Sequence, residues 1–188
     1  MKRRTFLTKC ISLVTFVLIP SFLKSQEIYM SKDSFYKELE KAKSLKELSQ
    51  FLTKLGAVEK NLTIDGSWSI GTVFSHCAQS IQYSIKGYPQ MKSSIFRSTI
   101  GSAAFAVFSF REKMSHGLEE PIPGSEKLDL QIPFATGQKE LLDAIAYFET
   151  KNSEDLKPHF AYGNLDKEDY DQAHALHIKN HFEKITLI

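Results

Sequence analysis

The chain has 188 residues, 42% of them hydrophobic, and its 24 basic and 22 acidic residues leave a formal net charge of only +2. That balance suits one globular domain with an apolar core, and it argues against a disordered acidic chain or a strongly basic nucleic-acid binder. With only two cysteines, a disulfide scaffold is excluded.

The first 25 residues are set apart from the fold. MKRRTFLTK carries a twin arginine, Arg3-Arg4, and an apolar run follows from Cys10 to Leu23. A helix that short falls well below the ~20 residues needed to span a bilayer, and its position suits the apolar region of a signal peptide. The pattern resembles a bacterial twin-arginine export signal, with an ordinary Sec signal or an uncleaved membrane anchor as the alternatives. The expected location is therefore exported and periplasmic, with 1–25 a signal and 26–188 one domain. This segment holds five of the basic residues and no acid, so the remainder carries 19 basic against 22 acidic residues, a net of −3. Only Cys77 remains in it, so no intramolecular disulfide can form.

Helical patterns then follow one another. From Ser31 to Gly56 apolar residues recur at helical spacing, with a possible break at Lys43-Ser44, and GAVEKNLTIDGS reads as a connector. A second helix is expected from Ser67-Trp68 to Lys86, with Ile70, Val73, Phe74, Cys77, Ile81 and Ile85 on one stripe. Beside that stripe lie Ser69, His76, Ser80 and Tyr83, polar groups able to border a cavity. The third helix, roughly Met91–Met114, contains STIGSAAFAVFSF; it is apolar nearly all round and reads as the most buried. A long irregular loop with three prolines follows, in which a solvated His116 is expected. Gln138–Thr150 is a short amphipathic helix. A last helix is capped by Asp166 and acidic in its first turn. No strand pattern is convincing. The expected class is all-α: a four-helix bundle with an additional short helix and one long irregular loop.

The last helix raises the functional question. Its inward stripe, taken from Tyr170, is Tyr170, Ala173, His174, His177, Ile178, His181 and Ile185. Three imidazoles buried there without partners would cost about 1–3 kcal/mol each, and a metal ion would turn that cost into binding energy. His177 and His181, four apart, can reach one ion. His76 on the polar stripe of the second helix is the candidate third ligand. Three protein ligands leave coordination positions open, the arrangement of a catalytic ion.

Two stretches resemble a known family. GSWSIGTVFSHCAQSIQYSIKGYP (Gly66–Pro89) is similar to a W-S-x-G-x-x-x-x-H-x-A-Q-S-I-x-Y-S-x-x-G-x-P motif. HFAYGNLDKEDYDQAHALHIKNHFEKI (His159–Ile185) is similar to H-P-x-F-G-x-L-x-x-x-x-W followed by H-x-x-H-H-x-x-Q-F. Both motifs belong to the bacterial domain of unknown function 1569 family, within the DinB/YfiT-like superfamily. The resemblance implies a four-helix bundle in which His76, His177 and His181 bind a divalent metal, Zn or Ni first, with Fe and Cu also compatible. It implies thiol chemistry such as thiol transfer and permits a homodimer, while an open three-histidine site could equally activate water for hydrolysis. Phe160, Tyr170, Asn180 and Lys184 depart from the motif. His174 has no counterpart in it, and His174, Tyr170, Tyr83 and His159 are candidates for supporting or catalytic roles. Trp68 is expected to be a packing anchor and Cys77 an inert buried thiol. The expectation is an exported metal-dependent enzyme acting on a small molecule, with no nucleic-acid partner and no membrane span in 26–188. The alternative is a non-catalytic bundle that binds a ligand or partner and uses its histidines structurally. The two differ in one geometric demand: three imidazole nitrogens converging on a point about 2.1 Å from each.

Overall fold

A computed structural model describes residues 31–188, so the expected export segment lies outside the described residues. The first predicted helix is two. α1 (Lys32–Lys41) ends before Lys43, and α2 (Leu45–Leu55) restarts where the Ser44 hydroxyl accepts from the Glu47 N–H. A 3₁₀ turn (Gly56–Asn61) then leads into β1 (Leu62–Ile64). α3 (Ile70–Lys86) starts two to three residues later than expected, because Ser69 is the residue whose side chain caps the Thr72 N–H. Gly87, at φ 99°, ends it in a conformation that side-chain-bearing residues rarely adopt.

α4 (Ser94–Phe96), a π-helical turn (Arg97–Gly101) and α5 (Ser102–Arg111) run on from one another. α6 (Phe134–Glu149) begins four residues before its expected start, after Pro133. α7 (Lys167–Phe182) is capped by Asp166, whose carboxylate accepts from the Asp169 N–H, as the sequence predicts. The chain then enters β2 (Ile185–Leu187), which pairs antiparallel with β1 in the register Leu62↔Leu187, Thr63↔Thr186 and Ile64↔Ile185. These two strands correct the expectation of none. Three-residue strands are too short to show an alternating pattern, and their pairing partner is more than a hundred residues away.

The molecule is mainly helical, in agreement with the all-α class. α3 packs along α6 and also against α7, while α2 packs on both α6 and α7. Phe35, Leu48, Leu52, Phe74, Ile81, Leu141, Phe148 and Phe182 form part of their shared core. α3 and α6 approach at two glycines: a Cβ placed on Gly137 would sit 2.0 Å from the Gly71 carbonyl oxygen.

The run expected to be the most buried is the least. Of residues 94–111 only Gly101 and Phe105 are buried, while Ile95, Ile100, Val107 and Phe110 stand exposed, Phe110 at 91%. Its apolar character therefore does not come from a place in the central core, which draws nothing from α4 or α5. Phe105 instead stacks on Tyr162, and Gly101 lies against the Ala161 carbonyl, so this run supports the turn around His159. Among the described residues no helix is long and apolar enough to cross a membrane.

The long loop is irregular as expected, spans residues 112–133, and is tied to the start of α3. Glu119 accepts from the Ser67 N–H and hydroxyl, the Thr72 hydroxyl donates to the Asp129 carbonyl, and the Ser69 hydroxyl donates to that of Ile132.

Candidate metal centre

α3 supplies His76, and α7 supplies His177 and His181 one turn apart; potential ligand atoms of all three lie within 4.8 Å of one another. The His76 Nε2–His177 Nε2 separation is 3.3 Å and the His177 Nε2–His181 Nε2 separation 2.9 Å. An ion about 2.1 Å from two imidazole nitrogens, with about 90–110° between its bonds, sets those nitrogens about 3.0–3.4 Å apart. The two spacings that involve His177 are thus close to those of neighbouring ligands on one ion, and the third pair lies within 4.8 Å.

Hydrogen bonding alone accounts for it poorly. The His177 Nε2 faces two other ring nitrogens, and one nitrogen either donates its single proton or accepts with its single lone pair. It cannot satisfy both neighbours well. His76 and His181 are almost fully buried, and the His76 Nδ1 has no partner. Burial, followed by the nearby charge of His116, pushes the His76 ring down to about 4. Burial, followed by His76 and His116, pushes His181 down to about 2. His177 is also held well below the usual histidine range, first by burial and then by His181. Neutral rings with free lone pairs are the state that a divalent metal takes as ligands. The donor set therefore fits an ion. Trp68 packs beside it, stacked on His181 with ring centroids 6.4 Å apart and tilted against His76 at 5.1 Å. This is the packing role expected of Trp68. Cys77, next to His76, points into the core, where burial pushes its thiol up.

A cavity of about 250 Å³ opens beside the cluster. His76 and His177 line one side, His174 and His159 extend it, and Met114 and Tyr162 add apolar wall. His174 is buried with its Nε2 unpartnered, between the ring of Tyr170 at 5.3 Å and that of Phe148 at 5.6 Å. Burial lowers it to about 3, so it stays neutral.

Tyr170 does not reach the cavity: it is fully buried and its hydroxyl donates to the Lys157 carbonyl at 2.6 Å. Tyr83 is also outside it, half-buried beside Tyr88. Helical phase alone places Tyr83 on the stripe of His76, but two turns further along α3 it has passed the end of the cavity.

His159 fixes the turn that closes the far wall. Its Nδ1 accepts from the N–H groups of Ala161 and Tyr162, both at 3.1 Å, and its ring stacks on Tyr162 at 4.2 Å. Burial first, and then the neighbouring His174 ring, which disfavours a second proton in the same pocket, holds its pKa well below the usual range. Protonating Nδ1 would break both hydrogen bonds. In the unfolded chain His159 takes up a proton near pH 6.5, and in the folded chain it does not, so stability falls as pH drops below that value. Between pH 7 and 5.5 this single group removes about 1.3 kcal/mol of stability. Urea unfolding of metal-free protein at the two pH values should show a loss smaller by about that amount in His159→Gln than in wild type. Equal losses would mean that His159 titrates alike in both states.

One histidine that spacing does not place near the cluster lies beside it. His116, on the long loop, has an exposed side chain as expected, but its ring lies 4.9 Å from that of His177 and 5.2 Å from that of His181. No periodicity places a loop residue in space. The available signal was the length of the loop itself, since long ordered loops in compact domains often carry function.

No curated protein and no solved structure gives a significant match to the chain. A family model does, over residues 36–187, a span that contains the three clustered histidines, the cavity and the long loop. The chain belongs to the family described as protein of unknown function (DUF1569).

Proposed function

We propose that this protein is a metal-dependent enzyme in which His76, His177 and His181 hold one divalent transition-metal ion, Zn or Ni first. The observation that carries this reading is the meeting of three ring nitrogens at 2.9 and 3.3 Å, two of them on almost fully buried rings and one on the part-buried His177. A bound ion there would act as a Lewis acid, lowering the pKa of a thiol or of water or polarising a carbonyl. Thiol transfer and hydrolysis are accordingly the reaction classes we assign. The surrounding residues bind and shelter a small molecule. Met114, Ile122, Phe160 and Tyr162 offer it apolar surface, and the His174 Nε2 can take or give a hydrogen bond at the cavity wall. Lys92 at the same cavity suits an anionic substituent.

We place the fold with the DinB-like four-helix bundles, with α2, α3, α6 and α7 as the four helices, so that α6, expected as the additional short helix, takes the place of the expected third helix in 91–114. Their mutual packing and the site shared between α3 and α7 support this. The Arg3-Arg4 segment supports export to the periplasm. Mass spectrometry of protein recovered from the envelope should find a new N-terminus near Gln26, and a full-length cytosolic chain would refute export while leaving the metal site untouched.

Elemental analysis of purified wild type beside His177→Ala tests the metal reading. About one equivalent of transition metal in wild type, lost in the variant, is the expected result. Wild type that arrives without metal and refuses both Zn and Ni in titration would instead favour a non-catalytic bundle with structural histidines.

A further inference from the structure

We infer that His116 is a fourth, exchangeable imidazole of this centre, delivered by the loop 112–133 and displaced when a substrate takes its place. The inference rests on the three-histidine reading above and names a loop residue whose ring lies beside two of the trio, outside the group of three whose ligand atoms lie within 4.8 Å, so that the loop has to carry it in. Ring-centroid distances within the trio are 4.7, 4.8 and 5.1 Å, and those from His116 to His177 and His181 are 4.9 and 5.2 Å. By ring packing His116 therefore stands as close to α7 as the core histidines stand to each other.

Its chemistry suits the role. The His116 Nδ1 lies 2.7 Å from the Gly117 carbonyl oxygen, which can only accept, so the tautomer this contact selects carries its proton on Nδ1 and offers a lone pair on Nε2. Ligating histidines almost always fix their second nitrogen in this way. Among the trio, the His76 Nδ1 lacks any such partner. The backbone is anchored as well: the His116 N–H donates to the Asn180 Oδ1 at 3.2 Å, and Asn180 is buried on α7 between His177 and His181 in sequence. Asn180 is one of the positions that depart from the family motif, and here it ties the loop to the helix that carries two ligands.

What distinguishes His116 is exposure. His76 and His181 are 2% and 1% exposed, whereas His116 has its side chain in solvent at the mouth of the cavity. A ligand anchored only through its backbone N–H and one short loop contact can leave without disturbing the core. A fourth imidazole held this way closes the centre at rest and opens it to a small molecule.

The test uses Zn-loaded full-length mature protein and counts imidazoles by X-ray absorption, alongside Zn affinity by chelator competition. Wild type should show four imidazoles, His116→Ala three, with affinity weaker by roughly 10- to 100-fold. Asn180→Ala, which frees the loop but keeps the ring, should weaken affinity less than His116→Ala. Three imidazoles in both wild type and His116→Ala, at equal affinity, would overturn the inference while preserving the trio. Failure of wild type to bind Zn at all would sink both readings together. Circular dichroism of His116→Ala, expected to match wild type, separates ligand loss from misfolding.

Discussion

Metal-free protein should gain about 8–16 °C in its unfolding midpoint when Zn or Ni is supplied at a thousand times its dissociation constant, and His177→Ala should gain nothing. The magnitude follows from mass action. A ligand that binds only the folded state at that excess adds about 4 kcal/mol, and for a domain of this size each kcal/mol moves the midpoint by about 2–4 °C. His177 is the decisive position because its Nε2 contacts both of the other ring nitrogens. Removing His76 or His181 leaves a pair; removing His177 leaves two nitrogens on different helices with no ligand between them. In the absence of metal the variant loses little, since the wild-type ring is only part-buried and lacks good hydrogen bonds, and we expect the two apoproteins within about 2 kcal/mol of each other. A metal-induced rise that survives in His177→Ala would show that the ion sits elsewhere.

The same contacts explain what the sequence could reveal. His177 and His181 share a helix, so their juxtaposition is a property of the 3.6-residue repeat and is legible from spacing alone. The match of His76 to them depends on how α3 lies against α7, which spacing does not encode; the polar stripe of Ser69, His76 and Ser80 within an apolar helix supplied that clue. Tyr83 sits on the same stripe yet does not line the cavity, because a stripe gives direction and not depth. His116 is the opposite case. It belongs to no repeat, and its position is set by individual bonds from Asn180 and Gly117. The run 94–111 shows a further limit. Ile95, Ile100, Val107 and Phe110 are apolar, yet each faces solvent in the described fold. More than half of the accessible surface of a folded protein is apolar, so an apolar run does not by itself assign a segment to the core. β1 and β2 were invisible because their stability comes from pairing Leu62 with Leu187 across the whole chain, and neither strand carries a pattern of its own.

Gly137→Ala should destabilise the protein by about 3 kcal/mol and weaken metal binding with it, although the substitution lies on α6 and touches no histidine. Alanine is the better helix former by about 1 kcal/mol, so on an isolated helix this change would stabilise. Here the added methyl meets the Gly71 carbonyl oxygen at 2.0 Å and the Gly71 Cα at 2.7 Å. These are backbone atoms of α3, and no side-chain rotation can clear them. The helices must separate, which strips contacts along the length of their interface, and overpacking of this kind costs about 1–3 kcal/mol and at times more. The steric cost therefore outweighs the propensity gain. Because α3 carries His76 and α7 carries the other two nitrogens, any retreat of α3 from α6 also shifts the 3.3 Å spacing between His76 and His177. Gly56→Ala is the control: its Cβ would meet only the Gln138 side chain, at 3.6 Å, an ordinary contact. Gly56 already sits at φ −57°, which alanine adopts readily, so that variant should match or slightly exceed wild-type stability. Urea unfolding of the three metal-free proteins, followed by Zn competition on each, reads both effects. If Gly137→Ala unfolds at the wild-type midpoint, the close approach of α3 and α6 is wrong. If it is destabilised but binds Zn as tightly as wild type, the placement of His76 does not depend on that crossing.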